Sequence, residues 1–150
     1  MRKKMAGYLM HSKYAYSMIA LVLVFLLASL ASSSFFTGDN LMTVLRQTSV
    51  LFILSSGLTA VVLTGGIDLS VNNTAALVGC IVAQLLLLDL PIPLVLLSGL
   101  ASGLVIGLFN GTLVGVLRLP PFVATYGTNM VVLGISTIVM QGKVIYNLPR

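Results

Sequence analysis

The stretch VVLTGGIDLSVNNTAALVG, residues 61–79, decides how this chain folds. It sets one carboxylate, Asp68, among glycines and small polar residues, with long apolar runs on both sides. Gly65 and Gly66 before the acid, and Ser70, Asn72 and Asn73 after it, predict a break between two helices. The nearest basic residue in sequence is Arg46, so Asp68 has no local ion-pair partner. A carboxylate at a bilayer centre costs roughly 2.5–3.5 kcal/mol on insertion scales. An acid at a helix start accepts backbone N–H groups and sits at the positive end of the helix dipole. Asp68 is therefore expected to cap the helix that follows the break, with Asn72 and Asn73 as rival caps.

The surroundings explain why the environment is lipid. Of 150 residues, 58% are hydrophobic and only 7% charged, and mean hydropathy is +1.11. So little charge cannot cover the surface of a water-soluble domain of this size. The fold class expected is all-α, a polytopic transmembrane bundle of about five spanning helices with a broken-helix motif near residues 65–73. The spans read as about 16–36, 47–64, 73–88, 94–117 and 123–141. TGDN at 37–40 marks a polar turn, and Pro91, Pro93, Pro120 and Pro121 mark the later breaks. The domains are then a basic cytoplasmic head (1–15), the helix bundle (16–141) and a short tail (142–150).

The formal charge of +5 does not indicate nucleic-acid binding. Arg2, Lys3, Lys4 and Lys13 all precede the first apolar run and suit a cytoplasmic N-terminus. Five crossings would then put Arg118 inside, and Arg46, Lys143 and Arg150 outside. A re-entrant 61–79 segment would invert everything downstream. The basic head and the stretch LASLASSS also fit a secretory signal, but cleavage would leave several spans, so an uncleaved first helix is expected.

No cofactor is expected. Cys80 and His11 stand alone, without metal-ligand spacing, and no phosphate-binding loop occurs. An intramembrane enzyme would need a nucleophile with its base or paired carboxylates, and Asp39, Asp68 and Asp89 are far apart in sequence.

In GLASGLVIGLFNGTLVG, Gly99, Gly103, Gly107, Gly111 and Gly115 recur every four residues. Each step turns a helix by about 400°, so the glycines form one slowly winding stripe. Such a stripe lets a neighbouring helix approach closely, and helix packing is its expected role. Asn110, Thr125, Thr128, Asn129 and Gln141 lie in or near the spans. They either bond between helices or line a translocation path.

The segment GGIDLSV resembles the signature of ribose and simple-sugar permeases, the membrane subunits of bacterial ABC importers. LRLPPFVATYGTNMVVLG, residues 117–134, is similar to that family's pattern of proline, phenylalanine, a Thr-x-Gly pair and an apolar helix. The resemblance covers roughly residues 36–141 and reaches only the N-terminal half of the family. Where the family continues with Gly-Ser, this chain has Asn72-Asn73; asparagine tolerates left-handed backbone, which would keep the turn.

The resemblance implies a sugar permease subunit, truncated or split, in the bacterial inner membrane. Transport would be energised by a separate ATPase subunit. A second permease chain or complementary half and a periplasmic sugar-binding protein would complete it. It assigns Gly65, Gly66, Asp68, Ser70, Thr125 and Gly127 to the substrate path. The alternatives are a small self-sufficient secondary transporter, with Asp68 as its ion-coupling group, or a non-transporting assembly subunit.

Overall fold

The computed structural model describes residues 15–145. The basic residues Arg2, Lys3, Lys4, Lys13 and Arg150, together with His11, lie outside that range. The described residues are all-α: five α-helices, one of them continued by a π-helical turn. The helices are α1 (Ala15–Ala31), α2 (Gly38–Leu63), α3 (Val71–Leu87), α4 (Ile92–Gly111) and α5 (Pro121–Met140). α2, α4 with its π extension (Thr112–Val116), and α5 are long and apolar enough to cross a membrane. α1 and α3 are apolar helices of 17 residues each, at the short end of the range that spans a bilayer.

The chain divides into two compact units, residues 1–52 and 53–150. In the first, α1 ends earlier than its apolar run predicts. Residues 33–36 turn instead, closed by the Ser32 carbonyl accepting from Phe35 N–H at 3.1 Å. The Phe35 ring meets Phe25 edge-on at 5.0 Å, and Asn40 Nδ2 donates to the Phe35 carbonyl at 2.7 Å. Three consecutive serines follow α1, and serine is a weaker helix former than the leucines and alanines before it. The polar turn expected at 37–40 is largely helix: α2 begins at Gly38, with the Thr37 carbonyl accepting from Leu41 N–H at 3.0 Å. Asp39 then sits in the first turn, where the helix dipole favours a negative charge.

In the second unit α3 is the central helix, packed against both α5 and α4. Prolines start the helices that flank it. Pro91 precedes α4 and Pro120 precedes α5, both with extended backbone, and Pro93 and Pro121 occupy first-turn positions that need no N–H bond. The other ends are closed by left-handed residues that are not glycine: Asp89 (φ 53°), Arg118 (φ 55°) and Gln141 (φ 51°).

The interior is small and polar for a folded protein. Its buried apolar residues are Leu77, Val95, Ala124 and Val132; beside them lie Ser70, Asn110, Thr125, Thr128 and Ser136. Leucines, valines and isoleucines face outward along α1, α2, α4 and α5, whereas those of the central α3 before Leu87 are buried or half-buried. Lipid accepts that surface without penalty, whereas polar groups must turn inward to find partners.

Candidate functional site: the cleft at the helix break

α2 ends at Leu63 in a tight turn. Gly66 N–H donates to the Val61 carbonyl at 3.1 Å and Gly65 N–H to the Val62 carbonyl at 3.0 Å. The two glycines serve different ends. Gly65 has φ 78°, the left-handed region that a side chain resists. Gly66 is crowded: a Cβ there would lie 3.2 Å from Val61 Cγ1 and 3.3 Å from the Val61 carbonyl.

Residues 67–70 then lead into α3 without helical structure. Asp68 Oδ1 accepts two bonds from one residue, Ser70 N–H and Ser70 Oγ–H, both at 2.7 Å. This is a closed turn within the break, one step short of a helix cap. Ser70 is the N-cap position, and its own side chain makes no capping bond to α3. The expected capping roles are thus corrected. Asp68 stabilises the residue before the helix, and Asn72 and Asn73 are already inside α3. Neither asparagine is left-handed; Gly65 supplies that conformation.

Two distant side chains pin the break to the bundle. Asn110, on α4, donates Nδ2–H to Ser70 Oγ at 2.8 Å. Thr125, on α5, accepts from Leu69 N–H at 3.2 Å and donates its single proton to the Pro121 carbonyl at 2.7 Å, with the Ile67 carbonyl also within reach at 3.2 Å. The hydrogen bonds form a chain in which Asn110 Nδ2–H donates to Ser70 Oγ and Ser70 Oγ–H donates to Asp68 Oδ1. Farther along α3, Asn73 Nδ2 donates to the Asn129 carbonyl at 3.3 Å and Gln84 Nε2 to the Val139 carbonyl at 3.3 Å, tying α3 to α5.

Above this network opens a cleft of about 360 Å³, bordered by Gly66, Asp68, Asn110, Thr125 and the glycines at 107, 111 and 115. Its size falls in the range of small-molecule pockets, roughly 300–1,000 Å³. The glycine stripe therefore divides. At Gly99 an added Cβ would meet Val82 at 2.9 Å and Val78 at 3.4 Å, and at Gly103 it would meet Val78 at 3.9 Å. At Gly107, Gly111 and Gly115 it would meet nothing within 4 Å. The first two positions face α3, and the last three leave room for the cleft.

The structure gathers Gly66, Asp68 and Thr125 at the cleft, with Ser70 buried beside them and Gly65 in the turn. Gly127 is exposed and apart from the cleft wall. Asn110 belongs with the cleft residues, although sequence spacing gave no reason to join it to Ser70, forty positions away. The π-turn at Thr112–Val116, closed by Leu117 N–H donating to the Thr112 carbonyl at 3.0 Å, is likewise absent from the sequence reading. Its one textual hint is the Asn110-Gly111 pair just before it.

Apolar helices, three of them long enough to cross a membrane, and a helix break that carries Asp68 define a multi-pass membrane protein. Residues 40–147 match the family described as branched-chain amino acid transport system / permease component, and the chain belongs to that family. Among curated proteins it is 38% identical over 127 residues to a ribose import permease protein of Haemophilus influenzae. It is 33% identical over 141 residues to a galactofuranose transporter permease protein of Escherichia coli, and 32% identical over 145 residues to an autoinducer 2 import system permease protein of Salmonella typhi. These alignments take in 85%, 88% and 97% of this chain but only 39%, 41% and 42% of the respective relatives. The chain thus spans about two fifths of the length of the curated relatives it matches. No solved structure matches it significantly.

Proposed function

We propose that this chain forms part of the substrate path of an ABC importer for ribose-like or other simple sugars. The observation that supports this reading most directly is the cleft, where an acid in a helix break stands beside polar side chains from α4 and α5 inside an apolar bundle. An intramembrane carboxylate that is costly to bury, yet open to a cleft of ligand size, fits a pathway better than a packing role. The ribose and galactofuranose permeases among its relatives supply the substrate class.

In this reading Gly65, Gly66, Asp68, Ser70 and Thr125 shape the path, with Gly127 on the outer face of α5. A second permease chain or complementary half closes it, a separate ATPase subunit drives it, and a periplasmic binding protein delivers the sugar. The basic residues at 2, 3, 4 and 13 favour a cytoplasmic N-terminus in the inner membrane.

The test is reconstitution of the chain with its ATPase and binding-protein partners in proteoliposomes. ATP-dependent uptake of D-ribose that collapses in Asp68→Asn, with assembly intact, is the expected result. Uptake driven by an ion gradient without ATP would point instead to a secondary transporter. Stable assembly without any uptake would leave an assembly subunit.

A further inference from the structure

We propose that Asp68 and Asn110 form a hydroxyl-reading site in the cleft, one that accepts neutral polyols and rejects phosphorylated ones. The proposal rests on the transport reading above and adds to it the residues that read the substrate. It starts from what the hydrogen-bond network leaves unused. Asp68 borders the cleft; its Oδ1 is occupied by both Ser70 donors, and its Oδ2 has no partner among the described residues. Asn110 is 7% exposed and lines the same cleft. One N–H of its Nδ2 donates to Ser70, and its Oδ1 is buried with no partner among the described residues. A buried amide oxygen left unpaired costs about 1–3 kcal/mol, so a site that keeps one gains by meeting a donor.

Because Ser70 Oγ bonds both side chains, at 2.7 and 2.8 Å, the two free oxygens belong to groups one hydroxyl apart. The spare capacity here is therefore two acceptor oxygens and the second N–H of Asn110, a mixed set that hydroxyls, each both donor and acceptor, can meet. Thr125 adds no donor, its proton being held by the Pro121 carbonyl. A divalent cation would want six or more oxygens, and no cluster of three metal-ligating side chains exists among the described residues. An anion would meet the Asp68 carboxylate, and Arg46, Arg118 and Lys143 are all absent from the cleft wall. A single water would satisfy Asn110 but would fill only about 30 Å³ of the space. Neighbouring hydroxyls on a small carbon frame match the two acceptors, and the glycine wall admits the frame's C–H face.

The experiment is equilibrium dialysis of tritiated D-ribose against the full chain in lipid nanodiscs, with melting temperatures measured in parallel. Saturable binding is expected, weakened about 10-fold or more in Asp68→Asn, where the free oxygen becomes a donor, and about 5-fold in Asn110→Ala. Ribose 5-phosphate should fail to compete with the unmodified chain, a measurement that needs no variant. Equal competition by the phosphate, or undiminished ribose binding by either variant at an unchanged melting temperature, overturns the assignment alone. No saturable ribose binding by the unmodified chain overturns the assignment together with the reading it rests on.

Discussion

Ser70 shows how much one small side chain can hold. It is 1% exposed, and its hydroxyl donates to Asp68 while accepting from Asn110. Ser70→Ala leaves the Asn110 amide donor unpaired in the interior. Denaturant unfolding in detergent should show a loss of about 1–3 kcal/mol. Gly66→Ala tests the crowded side of the turn: the new Cβ must displace Val61, by side chain or backbone. It should cost about 1–3 kcal/mol on the same assay. The residues of the break were legible in sequence, because two glycines beside an acid in an apolar run have few other uses. Their partners were not. Nothing local distinguishes Asn110 from any polar residue bonding between helices.

Helix α4 carries two behaviours along one stripe. At Gly99 the contact with Val82 is so close that Gly99→Ala must displace the Val82 side chain or the helix that carries it, and a destabilisation of about 1–3 kcal/mol is expected. Gly107→Ala meets open space and should leave the isolated chain as stable or up to about 1 kcal/mol more stable, since alanine loses less entropy in a helix. Thermal melts of the two variants side by side check this contrast. The four-residue period forecasts a stripe, and it cannot forecast which part of the stripe a neighbour touches. The π-turn that follows Asn110 is a similar case, since its wide hydrogen-bond ring leaves no periodic signal in five residues. At the far end of that turn Arg118 holds φ 55°. Arg118→Gly relieves the left-handed backbone and should raise stability by about 0.5–1 kcal/mol, read as a shift in melting temperature.

At the scale of the molecule, the buried polar side chains all belong to the second unit, while large apolar side chains are exposed in both. α4 and its π extension form a candidate span of 25 residues between the turns holding Asp89 and Arg118. Those turns should therefore open on opposite faces of the membrane. On a Cys80→Ser background, Asp89→Cys and Arg118→Cys should react with an impermeant maleimide from opposite sides of sealed vesicles. Labelling of both from one side would make α4 a re-entrant segment. The side labelled at 118 also tests the orientation drawn from the basic head.

Composition, the apolar runs and the prolines by themselves determined that the chain is an all-α membrane bundle, that five helices occupy its described residues, and where its main break lies. Those features are local, since a hydrophobic run or a missing N–H acts on its own neighbourhood whatever the rest of the chain does. Helix ends such as Ala31 and Gly38 shifted because the Ser32 and Thr37 carbonyls, in the turn and at the helix start, decide them turn by turn. Only the tertiary structure decided that Asp68 bonds Ser70 instead of capping α3, and that Asn110 and Thr125 come from two other helices to pin the break. It also decided that three of the five glycines border a cleft. The physical reason is that a hydrogen bond across forty or more residues has no period to betray it. It forms only when packing has already brought two helices together.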